Sequence, residues 1–252
     1  MAETIQFCEV NFWNGTLDAL IHRVFATGGD VLVPAAPALA KILEDTEYHT
    51  ALREADYVIF DSGVVALLCL LIYRRRISRI SGLRLMEYLF LGAGRSVIES
   101  QHLLWIIPHE SEGRLIEKWI ASIALPHLRQ SFYLAPIYRK SADLSDQRLA
   151  DLIAKTHPDA VIVCIGGGTQ EKLAWHLKKM VRPCPPILCT GAAVSFLTGS
   201  QARIPTWVDR ACLGWLWRIF DEPKKFGPRY GSTLWNFPRM LWKYRLARGN
   251  WN

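Results

Sequence analysis

Short apolar runs alternate with amphipathic stretches along most of the chain. Residues 112–123, 145–156 and 170–180 have apolar positions at helical spacing, and Ser145 is the predicted cap of the second segment. Strand-like apolar runs lie at residues 30–33, 57–60, 102–107, 131–135, 160–165 and 187–189. Because alternating strands and helices build parallel sheets covered on both faces, we predict an α/β fold: a mostly parallel, Rossmann-like sheet flanked by helices.

The pattern changes at about residue 200. Residues 207–221 and 234–246 predict two further helices, separated by Pro223, Pro228 and Pro238. We therefore expect residues 1–200 to form the α/β core and residues 201–252 to form a C-terminal helical appendage.

One apolar stretch raises the question of a membrane span. Residues 63–73 (GVVALLCLLIY) precede three arginines at 74–76, and eleven residues are fewer than the roughly 20 that a spanning helix needs. We predict a core helix with a cationic C-terminus. The N-terminal residues, MAETIQFCEVNF, include acids and no apolar signal segment, so a cytoplasmic protein is expected.

The net positive charge is concentrated in the C-terminal appendage. Residues 1–199 hold 20 Lys and Arg against 20 Asp and Glu, whereas residues 200–252 hold 10 against 3, which is the whole net charge of +7. Six of the ten Trp lie in the same segment. Basic residues mixed with Trp suit either a membrane–water interface or a nucleic-acid surface.

Composition excludes several classes of protein. Half of the 252 residues are hydrophobic and 21% are charged, which does not fit a mainly disordered chain. The six Cys include no Cys-x-x-Cys pair, so buried, reduced thiols are expected rather than disulfides or a zinc site. No His or carboxylate cluster has metal-ligand spacing, and no metal is predicted.

Candidate chemistry lies where predicted strands end, because ligands of open α/β sheets bind beyond the carboxyl ends of strands. Asp61 follows one run, where its carboxylate is either a general base or the cap of a helix that starts at Gly63. Three glycines at 166–168 follow another apolar run, and they form either a phosphate-binding loop or a plain turn. Residues 190–193 (TGAA) end a third strand and allow the same two interpretations.

Several segments, in order, resemble the WecG/TagA/CpsF glycosyltransferases (glycosyltransferase family 26). ADYVIFDSG at 55–63 resembles the family's ADlvlpDG, and RISG at 79–82 resembles RvxG. GGGTQEK at 166–172 and TGAAVSFLTG at 190–199 resemble GxPkQEkw and vGGaFdflaG. RIPTW at 203–207, LGWLWR at 213–218 and EP at 222–223 complete the pattern, which covers roughly residues 18–230.

The resemblance implies a reaction and its partners. Such an enzyme moves a sugar from a nucleotide-diphosphate donor to a polyprenyl-diphosphate-linked glycan acceptor, with inversion and with no metal or other cofactor. This occurs at the inner face of the cytoplasmic membrane, during the synthesis of exopolysaccharides and other surface polysaccharides. The expected partners are therefore donor, acceptor and an anionic membrane surface, and not a nucleic acid.

The resemblance also assigns residues. Asp61 is the expected catalytic base, which deprotonates the acceptor hydroxyl. Donor and diphosphate binding is expected of Arg79, Gly166, Gln170, Glu171, Gly191, Arg218, Lys224, Lys225 and Arg229. Membrane contact is expected of Trp235, Trp242, Lys243, Arg245, Arg248 and Trp251.

The chain departs from the family pattern at polar positions. The Thr and Asn of the family's TPNae segment become Val33 and Ala35, and Asp positions become Arg84 and Ser195. We interpret these changes as a different donor sugar, such as a plain hexose, rather than lost activity. The alternatives are a non-catalytic homologue that binds nucleotide sugars or acts as a scaffold, and a nucleic-acid-binding protein, which would lack a recognition motif.

Overall fold

The structure, a computed structural model, describes residues 4–63, 65–67, 79–201, 205, 208 and 213–248. Of residues 225, 229 and 243–248 it describes the backbone only. Most of the predicted core helix at 63–73, the arginines at 74–76, Trp207 and Trp251 therefore lie outside the described residues.

An eight-stranded sheet forms the centre of the molecule, with the strand order β1-β2-β4-β3-β8-β7-β5-β6. All of its pairings are parallel except that of the first two strands. The strands are β1 (Thr4–Phe7), β2 (Val10–Trp13), β3 (Asp30–Leu32), β4 (Tyr57–Val58), β5 (His102–Ile107), β6 (Arg129–Leu134), β7 (Ala160–Val163) and β8 (Ile187–Cys189).

Helices connect the parallel strands and cover the sheet. In chain order they are α1 (Leu17–Thr27), α2 (Ala36–Leu39), α3 (Thr46–Arg53), α4 (Gly82–Leu91), α5 (Arg95–Ile98), α6 (Glu110–Ser122), α7 (Gln147–Thr156), α8 (Thr169–Met180), α9 (Ala193–Leu197), α10 (Gly214–Asp221) and α11 (Pro223–Arg248). Gly63 and residues 65–67 are also helical. The predicted α/β class, with a flanked and mostly parallel sheet and a helical C-terminal region, is confirmed.

The alternation of side chains along each central strand divides the core into two layers. Leu32, Val163 and Cys189 pack into one buried cluster, whereas their neighbours Ile162 and Leu188 pack into the other, on the opposite face of the sheet. Both faces are apolar, so β3, β7 and β8 are buried along their whole length. This explains why these strands read as continuous apolar runs.

The antiparallel β1–β2 hairpin is absent from the predicted strands. Its turn consists of Cys8 and Glu9, both with positive φ (48° and 62°), and pairs Phe7 with Val10. Such a turn is usually marked by Asn-Gly or Asp-Gly, and this sequence has neither at the turn.

The predicted cap of α7 is wrong by one residue. Asp146 Oδ1 accepts a hydrogen bond from Leu149 N at 3.1 Å, while the Ser145 hydroxyl contacts Nδ1 of His176 at 3.1 Å. A carboxylate accepts helix amides more strongly than a hydroxyl does, because the helix N-terminus carries partial positive charge.

The prediction that Pro228 and Pro238 separate helices is also wrong, because both lie inside the continuous helix α11. Each proline costs the helix about 3 kcal/mol, and packing offsets this cost. Phe237 is fully buried and stacks on Phe7, with ring centroids 6.0 Å apart. The division into a core and an appendage stays a prediction, although α11 contributes to the main core.

Charged residues at the amino ends of β3 and β4 form hydrogen bonds and ion pairs with Lys178 and with each other. Asp30 N donates to Asp56 Oδ2 at 3.1 Å, Asp56 N donates to Asp30 Oδ1 at 2.8 Å, and Lys178 Nζ of α8 contacts both carboxylates, at 2.7 and 2.8 Å. Burial raises the pKa of Asp30 to about 6, although the Lys178 charge opposes part of this rise. We call these three residues the amino-end cluster.

Candidate active site

A cavity of about 340 Å³ lies beyond the carboxyl ends of the central strands β4, β3, β8, β7 and β5. Helices α10 and α11 contribute residues to its wall. In open α/β sheets this edge binds ligands, because strand ends, loops and helix N-termini converge there. The cavity brings together six predicted site residues, which are Asp61, Arg79, Gly166, Gln170, Gly191 and Arg218.

Asp61 is held at the cavity wall by contacts with the segment that begins α4. Its Oδ1 accepts a hydrogen bond from Gly82 N at 2.9 Å, and its carbonyl oxygen accepts one from Arg79 Nε at 2.7 Å. Ser62, rather than Asp61, accepts the amide of Val65 in the helical segment that follows β4. Asp61 as the cap of that helix stays the alternative prediction.

Two arginines bring positive charge to the cavity from different parts of the chain. Arg79 is positioned by its contact with the Asp61 carbonyl. Arg218 comes from α10, where it donates to the Tyr230 hydroxyl at 3.3 Å and lies over the ring of Phe196, 4.9 Å from the centroid. Guanidinium groups fixed in this way suit a ligand with phosphate oxygens.

The glycine loop after β7 has open space and unused amides. A Cβ on Gly166 would meet no atom within 4 Å, whereas one on Gly167 would lie 3.1 Å from Cβ of Ala35. In the part of the chain that the structure describes, the amides of Gly166 and Gly167 donate to no acceptor. Free amides before a helix N-terminus favour an anionic ligand.

Glu171 stabilises this loop and is not among the residues that line the cavity, and its part in donor binding stays a prediction. Its fully buried carboxylate accepts a hydrogen bond from Gly168 N at 2.6 Å and one from Gln170 Nε2 at 3.1 Å. Gly168 has φ = 92°, a conformation that favours glycine. Burial raises the pKa of Glu171 to about 7.

Gln170 is part of the cavity wall and keeps an unused acceptor. Only 2% of the residue is exposed, Nε2 points to Glu171 and to the Cys189 carbonyl, and Oε1 has no partner among the described residues. Gly191, with φ = 57°, lies beside it, and a Cβ there would be 3.6 Å from the Gln170 amide group. A buried, unpaired acceptor at a cavity is suited to a ligand hydroxyl.

Three of the four positions that differ from the family pattern line the cavity. Val33 and Ala35 follow β3, and Ser195 lies on α9. Arg84 is exposed on α4 and is not among the lining residues. The two positions where the resemblance implies a loss of polar groups, Val33 and Ala35, therefore lie at the cavity wall itself.

Glu112 and Trp215 are among the lining residues that sequence reasoning missed. Glu112 lies in the first turn of α6, soon after β5, so the strand-end argument that selected Asp61 could have found it. Trp215 lies within the LGWLWR segment, and its Nε1 has no partner among the described residues.

The remaining predicted residues lie elsewhere. Lys224 is exposed at the start of α11 and is not among the lining residues, and its binding of the donor stays a prediction. Trp235 and Trp242 are 68% and 69% exposed on α11. The side chains of Lys225, Arg229, Lys243, Arg245 and Arg248, and the whole of Trp251, lie outside the described residues.

Two further findings concern the described ranges only. Cys8, Cys164, Cys184 and Cys189 are free thiols there, and no three His, Cys, Asp or Glu side chains come together as metal ligands would. No helix of these ranges is both long and apolar enough to cross a membrane.

Comparisons with known proteins identify similar chains. Two relatives carry the name N-acetylglucosaminyldiphosphoundecaprenol N-acetyl-beta-D-mannosaminyltransferase. The one from Bacillus subtilis (strain 168) is 24% identical over 222 residues, covering 84% of this chain and 82% of its own length. The one from Bacillus spizizenii is 25% identical over 204 residues, covering 79% and 74%.

Residues 5–250, nearly the whole chain, match the model of the family described as Glycosyl transferase WecG/TagA/CpsF. The chain belongs to the WecG/TagA/CpsF family of glycosyltransferases.

Proposed function

We propose that this glycosyltransferase moves a sugar from a nucleotide-diphosphate donor to a polyprenyl-diphosphate-linked glycan, with inversion and without a metal. The observation that carries the proposal is the meeting of Asp61, Arg79 and Arg218 at one cavity. An inverting transfer needs a base on the acceptor side and positive charge on the leaving-group side. The relatives' name supports the class of acceptor.

The reaction follows from these groups. Asp61 takes the proton of the acceptor hydroxyl as the oxygen attacks the anomeric carbon. The bond between that carbon and the donor diphosphate breaks, and its electron pair leaves with the diphosphate. Arg79, Arg218 and the amides at Gly166 and Gly167 stabilise the negative charge that develops on the departing oxygen.

The donor sugar follows from the wall of the cavity. The relatives are named as mannosaminyltransferases of an N-acetylated sugar. Here Val33 and Ala35 replace polar family positions at the wall, and neither side chain can hydrogen-bond an acetamido group. A plain hexose has no acetamido group that would need such a partner, and we propose such a sugar as the donor's.

Membrane association of residues 201–252 belongs to the same proposal. Trp235, Trp242 and Phe220 are 68%, 69% and 76% exposed on α10 and α11, and the segment carries the whole net positive charge. Exposed Trp beside basic residues suits an anionic membrane surface, where a lipid-linked acceptor resides. The inner face of the cytoplasmic membrane is the proposed location.

The test is an Asp61→Asn variant assayed with membrane extracts and a panel of labelled nucleotide sugars. Asn keeps an oxygen that can accept the Gly82 amide but cannot take a proton, so we expect transfer to fall about 100- to 10,000-fold with unchanged stability. Asp151→Asn, on the exposed face of α7, is the matched control. Undiminished transfer by Asp61→Asn would refute the role of Asp61.

The same assay distinguishes the rival function. A non-catalytic homologue that binds nucleotide sugars would bind a donor but show no transfer with any sugar of the panel. Retention of Asp61, Arg79 and Gln170 at one cavity favours the enzyme, since a scaffold has no need of a positioned base.

A further inference from the structure

The cavity wall holds a second carboxylate, that of Glu112, which has no assigned role. Glu112 lies in the first turn of α6, and its amide donates to the His109 carbonyl at 3.0 Å. This contact fixes the backbone, while the half-buried side chain lines the cavity together with Pro108 and Cys164.

Within the described part of the chain, the Glu112 carboxylate has no hydrogen-bond partner, and its one favourable electrostatic neighbour is His109. Among the residues that the structure describes, no side chain or amide donates a hydrogen bond to it, and no Lys or Arg pairs with it. Burial raises the pKa of Glu112, and the nearby His109 opposes only part of this rise. The neighbouring thiol offers no compensation, since burial above all raises the pKa of Cys164 to about 12.

This situation differs from that of other buried acids in the molecule. Asp30 is paired with Lys178 and with the Asp56 amide, and Glu171 accepts the Gly168 amide. An unpaired carboxylate that serves no fold contact costs stability. A ligand that donates hydrogen bonds to Glu112 would remove that cost.

The chemistry of the carboxylate selects the part of the ligand that it contacts. An ionised carboxylate only accepts hydrogen bonds and repels phosphate, whereas two neighbouring hydroxyls can donate to its two oxygens at once. The diphosphate is already matched by Arg79 and Arg218 on other elements of the wall. Gln170 Oε1, also unpaired and buried, adds another acceptor for hydroxyls.

We propose that Glu112 binds a vicinal pair of hydroxyls on the nucleotide-sugar donor and thereby positions it. The inference rests on the proposed donor class and extends it. Two parts of such a donor carry a vicinal diol, the ribose and the transferred sugar, and the carboxylate chemistry is the same for both.

Titration calorimetry with Glu112→Ala and Glu112→Gln tests the proposal. The probes are UDP, GDP and ADP, their 2′-deoxy analogues, and UDP-glucose, GDP-mannose and ADP-glucose. Glu110→Gln, in the same turn of α6 but outside the cavity lining, is the matched control. Thermal unfolding of each variant verifies that it is folded, and Gln retains nearly the shape of Glu.

The expected result is an affinity loss of about tenfold or more for Glu112→Ala, a smaller loss for Glu112→Gln and none for Glu110→Gln. If the ribose is the ligand, the loss extends to the bare nucleotide and disappears with the 2′-deoxy analogue. If the sugar is the ligand, only the nucleotide sugars lose affinity.

Two results would overturn the proposal, and they differ in what else they overturn. Equal binding of every probe by wild type and both Glu112 variants would remove the role of Glu112 while leaving the donor class intact. Failure of the wild-type protein to bind any nucleotide would instead refute the donor class, and the Glu112 proposal with it.

Discussion

The two ends of the central sheet use similar residues in opposite ways. At the amino ends of β3 and β4, Asp30, Asp56 and Lys178 bind one another and the adjacent amides. At the carboxyl ends, the Glu112 carboxylate and Gln170 Oε1 accept no hydrogen bond, and the amides at 166 and 167 donate none, within the described ranges.

The polar groups at the amino ends stabilise the fold, whereas those at the carboxyl ends are available to a ligand. Among the described residues, the amino-end cluster has one buried carboxylate oxygen without a hydrogen bond, Asp30 Oδ2, and it holds two strands and α8 together. The carboxyl-end cavity gathers residues from strand-end loops and from α10 and exposes them to a ligand. Substitutions at one end should therefore alter stability, and substitutions at the other should alter binding or transfer.

Lys178→Met should have the largest effect of the changes that follow. It leaves Asp30, which is 1% exposed, without its cation, and we expect the free energy of unfolding to fall by about 3 kcal/mol near neutral pH. Donor affinity should not change. Urea unfolding measures the loss, with Lys155→Met on the exposed face of α7 as the control.

The Lys178 effect should also depend on pH. The pKa of Asp30 is about 6, so the salt bridge needs a pH above that value. The difference in stability between wild type and Lys178→Met should therefore shrink as the pH falls through about 6. A loss that is constant with pH, or equal to that of Lys155→Met, would contradict the ion-pair account.

Glu171→Gln should change how stability depends on pH. Burial raises the pKa of Glu171 from 4.5 to about 7, so the folded state binds this proton more tightly than the unfolded state does. That stabilisation is complete below pH 4.5 and is lost as the pH rises through about 7.

Gln is neutral throughout, so Glu171→Gln should gain stability relative to wild type between pH 4.5 and pH 7, by an amount on the order of 3 kcal/mol. Thermal unfolding across this range measures it, and Glu117→Gln at the exposed surface of α6 is the control. Parallel pH profiles for all three proteins would rule out a buried, titrating Glu171.

Arg218→Ala tests the role of the cavity at the carboxyl ends of the strands. Loss of the guanidinium should weaken nucleoside-diphosphate binding by about tenfold or more, because charged hydrogen bonds to the phosphate disappear. Arg218→Lys should be intermediate. Titration calorimetry measures the affinities, and Arg239→Ala, which removes a guanidinium 5.4 Å from the Trp235 ring, should leave them unchanged.

Trp235→Ala and Trp242→Ala should have the smallest effects. Each exposed indole would be partly buried in the membrane interface on binding. Each substitution should therefore weaken binding to anionic vesicles by about fivefold. Flotation with vesicles measures this. Ile137→Ala, which removes a side chain of a 79% exposed residue far along the sequence, is the control, and an equal loss for all three would argue against a specific docking face.

Strand position was predictable to a useful degree because apolar runs mark buried parallel strands. Strands β5 and β8 begin and end as predicted, and the strand-end argument selected Asp61 and the glycine loop. The apolar pattern did not predict the β1–β2 hairpin, because Cys8 and Glu9 adopt positive φ without the residues that usually signal such a turn.

Side-chain roles were less predictable than strand positions. Glu171 is a residue type that often binds ligands. Only the folded structure shows that its carboxylate accepts a hydrogen bond from Gly168 N. Glu112 joins the cavity because β5 and α6 lie beside β7 in space, which the linear sequence does not state. Likewise, the buried contact of Phe237 with Phe7 explains why prolines do not end α11.

The most direct test measures transfer and stability together for Asp61→Asn and Lys178→Met. We predict that Asp61→Asn loses transfer about 100- to 10,000-fold while keeping the wild-type unfolding midpoint. Lys178→Met should lose stability while each folded molecule retains wild-type transfer. Full transfer by Asp61→Asn, with any donor that the wild type uses, would contradict the account.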